Sequence, residues 1–572
     1  MKCFFRLLVG SSLLVAAPSF GFFLDGTGAF GTRGETRVSP EFQSGRGTYQ
    51  ATELSFDLNG DIRANDRASF HLRLGIFEDP SAAYLGDSPE PGECEPRRSS
   101  TGGETDTTCK DRHQSTTRPG YSDYKPVITE AYAQYSFNYC LLTAGRRSRD
   151  VGLGLLHSSA KKPFETDPSI FDGFTCDVNI QKQQDLGFSF GFDKLQETGT
   201  YLDNPYDKPT AEASVQNEYE TRPKKGFGAN SYEDDLEQFF FGLTLDDTKS
   251  RGQGSKFAKQ VAIYFSNILG TQSKTDVKYL DLYTGVYMGN LAFKNEVVFR
   301  MGKTADPNAV TIGGQRDDVD GGPAVNNMQS IGLAGDLEYV WSKSGSSIGP
   351  SEFNEGNASR HVSFFTYAYA PGDADGYYSD RDGSSFYTSD AVGESKRDNK
   401  KAKAMAFHKN YKPALLFFNG KSTSRYLNRG GVFDSQRVMN TSLFTLGYRY
   451  ENQESGNFEV KLITGRLLEA MPGTVKDWYA SREAKVAEEN GKLNQANNPA
   501  DKFRYSNIDR PMGYSGQDLG YELDLTYSWQ YRREVEIGSG IAAALPGKAW
   551  DISPESSPQP QYGLFGSFAL KF

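Results

Sequence analysis

The stretch Glu53-Leu54-Ser55-Phe56-Asp57-Leu58-Asn59-Gly60-Asp61-Ile62-Arg63 runs through the short polar turn Ala64-Asn65-Asp66 into Ser69-Phe70-His71-Leu72-Arg73-Leu74-Gly75-Ile76. Successive side chains of an extended chain point to opposite sides, so Leu54, Phe56, Leu58 and Ile62 share one face and Glu53, Asp57, Asp61 and Arg63 share the other. Past the turn, Phe70, Leu72, Leu74 and Ile76 repeat the apolar face while His71 and Arg73 repeat the charged one. A hairpin that is greasy on one side and charged on the other suits lipid outside and water inside.

The same alternation recurs at 27–37, 127–137, 140–147, 175–182, 186–193, 238–246, 256–266, 278–288, 291–301, 328–340, 360–370, 440–450, 457–466, 518–531, 533–544 and 562–572. With the opening hairpin this gives about 18 strands, an even number as single-chain outer-membrane barrels require. The fold expected is therefore all-β: a transmembrane antiparallel β-barrel. Short links at Asn138-Tyr139, Gly289-Asn290 and Tyr531-Arg532 belong at the periplasmic end. Insertions at 79–126, 194–237, 371–435 and 467–517 fall at the opposite, extracellular end.

The two ends of the chain agree with this. Lys2 and Arg6 precede the apolar run Leu7 to Ala17, and Ser19-Phe20-Gly21 supplies small residues for cleavage, so 1–21 reads as a signal peptide and 22–572 as one barrel domain. Cys3 leaves with the leader. At the other end Phe568, Leu570 and Phe572 alternate with Ser567, Ala569 and Lys571, as in a closing strand whose final aromatic the barrel-assembly machinery reads. Past residue 21 no apolar stretch approaches the roughly 20 residues of a membrane helix.

Loss of Lys2 and Arg6 takes the net charge from -10 to -12, which speaks against a nucleic-acid partner. The 32 Tyr and 39 Phe suit aromatic girdles at lipid headgroups, although a soluble β-rich protein could carry them too. A soluble sandwich would rarely hold so many strands in one domain. A plugged TonB-type transporter would need about 22 strands and an N-terminal plug for which strand signal from residue 27 leaves no room. Four cysteines remain, and an oxidising compartment permits both Cys94–Cys109 and Cys140–Cys176; Cys94–Cys109 is favoured, inside one polar excursion.

Asp518-Leu519-Gly520-Tyr521-Glu522-Leu523-Asp524-Leu525-Thr526-Tyr527, with Glu536 to Gly540 and Leu545-Pro546-Gly547, resembles the closing hairpin of the alginate-export-type porins. Tyr367-Ala368-Tyr369-Ala370-Pro371-Gly372-Asp373, the Phe-rich segment 407–418, Ala144-Gly145-Arg146-Arg147 and Gly152-Leu153-Gly154 are similar to segments of the same family. The resemblance implies an 18-stranded barrel that passes solute, in the best-known member an anionic polysaccharide through a strongly basic lumen.

The inward positions here depart from such a lumen and make alginate itself doubtful. They include Glu53, Asp57, Asp61, Glu130, Asp177, Asp281, Glu296, Asp336, Glu338, Glu522, Asp524 and Glu536. The basic candidates are Arg63, Arg73, Arg147, Lys294, Arg300, Arg449 and Lys461, while either Arg146 or Arg147 must point outward. Opposed charges across a water-filled constriction sort solutes by charge and size; the plainer alternative is that they pair and stiffen the wall. The expected function is a channel for small or polymeric hydrophilic solutes, weakly cation-selective. The alternative is a plugged structural or adhesive barrel that acts through its loops.

Asp373, Asp375, Asp380 and Asp382, each pair beside a Gly, could wrap Ca²⁺, as could Asp317, Asp318 and Asp320, although solvated turns explain them equally. Residues 475–490 read as a short surface helix. The five histidines, His71, His113, His157, His361 and His408, accompany no Gly-x-Ser-x-Gly elbow and no His-Glu-x-x-His helix, so no enzyme is expected. The expected surroundings are outer-membrane lipid and lipopolysaccharide.

Overall fold

The computed structural model describes residues 23–38, 48–77, 81–85, 127–159, 169–181, 185–195, 236–248, 257–270, 275–304, 326–344, 359–372, 401–402, 405–408, 410–418, 437–452, 454–468, 517–531, 534–550 and 558–572. The chain opens with β1 (Phe23–Val38), β2 (Thr48–Asn65), β3 (Ala68–Phe77), a short β4 (Ser81–Leu85), β5 (Val127–Ser136), β6 (Leu141–Ser148) and β7 (Ile170–Gln181). It continues through β8 (Leu186–Leu195), β9 (Leu236–Asp246), β10 (Phe257–Gly270), β11 (Thr275–Met288), β12 (Leu291–Thr304), β13 (Asn326–Ser344) and β14 (Ser359–Ala370). It ends with a two-residue β15 (Lys401–Ala402), β16 (Thr441–Asn452), β17 (Gly456–Leu467), β18 (Asp518–Tyr531), β19 (Val535–Pro546) and β20 (Gln561–Lys571).

β4 only prolongs the pairing of β2, and β15 lies parallel to the start of β13. The other eighteen strands are staves, each antiparallel to its neighbours, and β20 returns to β1. Closure leaves no edge with unpaired amides facing lipid, the condition for crossing a bilayer as strands. The seal is made by the last residue: Gly28 donates to the Phe572 carbonyl at 2.7 Å and Phe572 donates back at 2.8 Å. The phenyl ring of Phe572 lies where a Cβ on Gly28 would stand.

Period two decides which way each side chain faces. Phe174, Phe190, Phe239, Phe241, Phe265, Leu446, Leu462, Leu523, Ile541 and Leu564 lie exposed on the outer wall, the reverse of a soluble protein. At the short-turn end their place is taken by amphipathic rings. Trp529 Nε1 donates to the Glu454 carbonyl at 2.9 Å, Tyr527 to that of Ser455 at 2.7 Å, and Trp341 Nε1 to Ser363 Oγ at 2.7 Å. Such rings sit at a membrane interface with the apolar body in lipid and the polar tip toward the headgroups.

The long-loop rim is marked by opposite charges on facing strands. Arg146 makes a bidentate pair with Asp172 at 2.8 and 2.9 Å, and Lys194 faces Glu237, Asp276 faces Lys303 and Arg466 faces Asp518. Arg146 is thus the outward arginine and Arg147 the inward one. Cys140 and Cys176 form a disulfide between the turn before β6 and β7, with Cα atoms 5.6 Å apart. The Cys94–Cys109 pair, the four loop aspartates Asp373, Asp375, Asp380 and Asp382, the triad Asp317, Asp318 and Asp320, and the helix at 475–490 lie outside the described residues.

Candidate functional site: a two-part septum in the lumen

Two segments from the long-loop end leave the wall and enter the barrel. The first, residues 149–159, follows β6; the second, residues 405–418, lies between β14 and β16. The long excursion at 371–435, expected outside, therefore returns in part to the interior.

The first insert hangs mainly on polar anchors. Arg149 donates to Asp193 at 2.9 Å and to the Tyr264 hydroxyl at 2.6 Å, and its guanidinium lies 3.7 Å from the Phe240 ring centroid and 4.6 Å from that of Phe171. Arg147 takes the other oxygen of Asp193 at 2.9 Å. Further along, Leu153 and Leu155 donate their amides to the two oxygens of Glu296, the second at 3.2 Å. Gly152 makes this approach possible: its φ is +57°, and a Cβ there would strike the Glu296 carboxylate. The insert returns to the wall where Arg73 donates to the Ser159 carbonyl at 3.3 Å.

The second insert is held mainly by apolar packing. Met405, Phe407, Leu416, Phe417 and Phe418 are buried against Leu443, Ile463, Leu467, Leu519, Trp550 and Phe565. Each such side chain contributes about 1.5–3 kcal/mol on leaving water. The wall beneath is stripped to small residues: Gly332 and Ala334 on β13, Ala368 and Ala370 on β14, Gly540, Ala542 and Ala544 on β19, and Gly563 on β20. Polar clamps complete the seat. Leu415 donates to Asp524 at 3.2 Å, while Leu416 and Phe417 donate to the two oxygens of Glu522 at 2.6 and 2.7 Å.

The inserts meet in mid-lumen, where the His408 amide donates to the Leu155 carbonyl at 2.8 Å and Asn410 Nδ2 donates to Ser158 Oγ at 3.1 Å. Together they span from β3, β8, β10 and β12 on one side to β18, β19 and β20 on the other. His157 lies at this seam with its ring edge-on to Phe171 and Tyr264, at 5.1 and 5.5 Å. Burial, then Arg149, then His408 hold its imidazole well below the usual histidine range.

The candidates from the sequence separate into two groups here. Asp281, Glu296, Glu522 and Asp524 point inward but are fully buried, and three of them hold insert amides instead of meeting water. A carboxylate read as a lumen charge becomes an anchor once a loop covers it. Arg147 and Arg73 likewise brace the first insert, and Arg300 is buried with its Nε donating to Ser330 Oγ at 3.0 Å.

The second group remains partly open to water toward the short-turn end. Arg449 bridges Glu338, Glu451 and Glu459 at 3.5, 3.1 and 2.8 Å; Lys294 is 3.9 Å from Glu338, and Lys461 is 3.4 Å from Glu459 and 4.0 Å from Asp524. Asp336 lies opposite Lys294. Across the barrel, His71 bridges Asp61 at 2.9 Å and Glu130 at 3.1 Å, and Arg73 meets Asp57 at 3.2 Å. Arg63 is exposed at the short-turn end of β2. Among the described residues no group of three or more His, Cys, Asp or Glu could hold a metal ion.

A closed eighteen-stave cylinder, apolar outside and charged within, is a transmembrane β-barrel of the bacterial outer-membrane class. No protein-family model matches the chain, and no curated protein matches it. Among the solved structures to which it is similar are those of the outer membrane protein OprD, of OccK5 (OpdH) and of OpdQ, all from Pseudomonas aeruginosa. OprD shows 9% identity and a TM-score of 0.39 over 97% of this chain and 96% of that one. OccK5 (OpdH) shows 11% and 0.39 over 96% and 98%, and OpdQ 9% and 0.41 over 96% and 98%. At these values the likeness is one of outline alone.

Proposed function

We propose that this chain is an outer-membrane channel for hydrophilic solutes, and that its conductance is set by the septum. The observation that carries the reading is the inner wall: two networks of charged pairs, one on β2, β3 and β5 and the other on β12, β13 and β16 to β18, partly open to water, inside a barrel whose outer wall is apolar. A barrel needed only as a scaffold would be served by an inner wall without charges. Neutral and charged small solutes are the class the mixed lining favours. Among the described residues the wall forms no uniformly basic track of the kind that would favour alginate, and the alginate-export-type family is resembled in short motifs.

Purified protein in planar bilayers should give stepwise current, blocked by candidate sugars or small acids. Absence of any stepwise current would leave the plugged structural barrel, a reading that the apolar core of the second insert also favours. Ca²⁺ in the 373–382 loop, seating in lipopolysaccharide, and recognition of the terminal Phe572 strand by the assembly machinery complete the proposal. Calorimetry with Ca²⁺ on the folded protein tests the first: no heat of binding would retire it.

A further inference from the structure

The seat of Arg149 is built by the wall alone. The first insert brings the guanidinium, but the groups that receive it stand on four neighbouring staves: Phe171 on β7, Asp193 on β8, Phe240 on β9 and Tyr264 on β10. Asp193 Oδ2 accepts from Nη2 at 2.9 Å and the Tyr264 hydroxyl from Nη1 at 2.6 Å. The Phe240, Phe171 and Tyr264 ring centroids lie 3.7, 4.6 and 5.4 Å from the guanidinium carbon. A planar cation set against ring faces and hydrogen-bonded to a buried carboxylate is bound by its shape as well as its charge. Arg147, on β6, keeps the other oxygen of Asp193 at 2.9 Å, so the seat takes its second cation through one oxygen and the rings.

Two glycines cut the wall back to make room. A Cβ on Gly173 would strike Asp193, and one on Gly191 would stand 2.6 Å from the Phe240 ring. Gln238 Nε2 donates to the Tyr264 hydroxyl at 3.0 Å and fixes it. The same staves also carry hydrogen-bonding capacity that Arg149 leaves unused. Gln238 Oε1, Ser266 Oγ opposite Phe240, and Thr175 Oγ1 opposite Gly191 are buried and meet no partner among the described residues. Buried polar atoms of a folded chain are seldom left so, and an anchor for one arginine needs none of them.

None of these groups belongs to the insert, so the seat persists when the insert leaves. His157, edge-on to the Phe171 and Tyr264 rings, departs with Arg149 and bares them to the lumen. A ligand that binds only the undocked wall must favour undocking, because it adds its binding free energy to that state alone.

We infer that the cage of Phe171, Asp193, Phe240 and Tyr264 is a binding site for small alkylguanidinium cations, filled by Arg149 in their absence, so that such a cation releases the first insert. An alkylammonium is a poor substitute, since it has no planar face to lay on the rings and no fork of N–H groups to reach Asp193 and Tyr264 together. This deepens the channel reading, since it gives the septum a ligand, but docking can be measured in a barrel that conducts nothing.

The experiment places a thiol in the first insert by Ser158→Cys, at a position buried while the insert is docked. Its labelling by a water-soluble thiol reagent is followed at constant pH and ionic strength in methylguanidinium or methylammonium, and normalised to Tyr139→Cys on the exposed β5–β6 turn. The undocked fraction grows as one plus the ratio of ligand concentration to Kd, so for a Kd of about 5 mM, about 50 mM methylguanidinium should raise labelling roughly tenfold. Methylammonium should leave it unchanged. Adding Arg149→Ala removes the competitor: methylguanidinium then takes the seat whether the insert is docked or not, so labelling should no longer rise with it, and calorimetry should show saturable binding. Phe240→Leu, which removes the nearest ring and keeps Arg149, should abolish the rise independently. No response in the Ser158→Cys chain, an equal response to both cations, or no heat of binding in Arg149→Ala overturns the inference. A rise that persists in either variant overturns it too, by showing general loosening of the barrel by guanidinium. Absence of bilayer current alongside the expected labelling would defeat the channel and leave the seat standing.

Discussion

The backbone amide of His408 donates to the carbonyl of Leu155 at 2.8 Å, joining two segments that enter the lumen from opposite walls of the barrel. Neither residue belongs to a stave, so the bond exists only while both inserts are docked. Beside it, Ser158 Oγ and Asn410 Nδ2 stand 3.1 Å apart. Cysteines at these two positions should close a disulfide across the seam. Oxidation of Ser158→Cys/Asn410→Cys protein should remove most of the bilayer current and reduction should restore it; unchanged current with the bond formed would mean that solutes bypass the septum.

The seat of the second insert depends on missing side chains. A Cβ on Gly332 would stand 2.6 Å from Met405 Sδ and 2.7 Å from the Phe407 ring. Gly332→Val should favour the strand locally yet evict the insert, at an overpacking cost of about 1–3 kcal/mol. Larger unitary conductance with an intact, heat-modifiable barrel is the expected readout. Equal conductance would show that the insert repacks in place.

Phe417 is fully buried, its ring stacked on Trp550 at 5.9 Å, with the Trp550 Nε1 donating to the Leu519 carbonyl at 3.0 Å. Truncation to Ala should cost about 3–5 kcal/mol of docking stability, the usual range for a core Phe. Limited proteolysis within 405–418 should become rapid in Phe417→Ala while the staves resist. Parental resistance of the insert would contradict the packing argument.

His157 gives the septum an acid limit. Its docked imidazole titrates well below the usual value and the undocked one near 6.5, so the docked form contributes fully above that pH. As pH falls below about 6.5, protonation favours the undocked state, by up to tenfold per pH unit. Open probability should rise between pH 6.5 and 5, and His157→Gln should abolish that rise. An acid response unchanged in the variant would assign it elsewhere.

The lumen charges that still meet water include Asp61, whose side chain is 49% exposed, against Arg449 at 26% and Lys461 at 18%. Reversal potentials in a KCl gradient should show a weak cation preference that Asp61→Asn reduces. A measured anion preference would place Arg449, Lys294 and Lys461 in control of the path.

The staves were legible because lipid imposes a rule that needs no tertiary context: alternate residues must be apolar wherever a strand crosses. Phe70, Leu72 and Leu74 obey it locally, and so do Phe568, Leu570 and Phe572. The septum obeys no period. Residues 405–418 have no repeat, and only their richness in Phe sets them apart. A usable signal lay in the wall, where Gly538, Gly540, Ala542 and Ala544 occupy consecutive inward positions of β19. A water-filled lumen has no use for such a strip, whereas an insert packed against it does. The carboxylates were placed on the inner face by parity, but parity is silent on whether an oxygen there meets water or a backbone amide. Glu522 and Asp57 look alike in the sequence for that reason.

The strip of small residues beneath the second insert has a consequence for anyone wishing to widen this pore by excision. Removing residues 405–418 would bare Leu443, Ile463, Leu467 and Phe565, and water wets such an apolar collar less well than the charged wall beside it. A solid obstruction would be exchanged for a greasy throat. Hollowing the tube fully requires wetting it too: the excised form should conduct more than the parent, as an evicted insert does, and serines in place of Leu443 and Ile463 should raise the current further; no added gain would show that the collar is already wet.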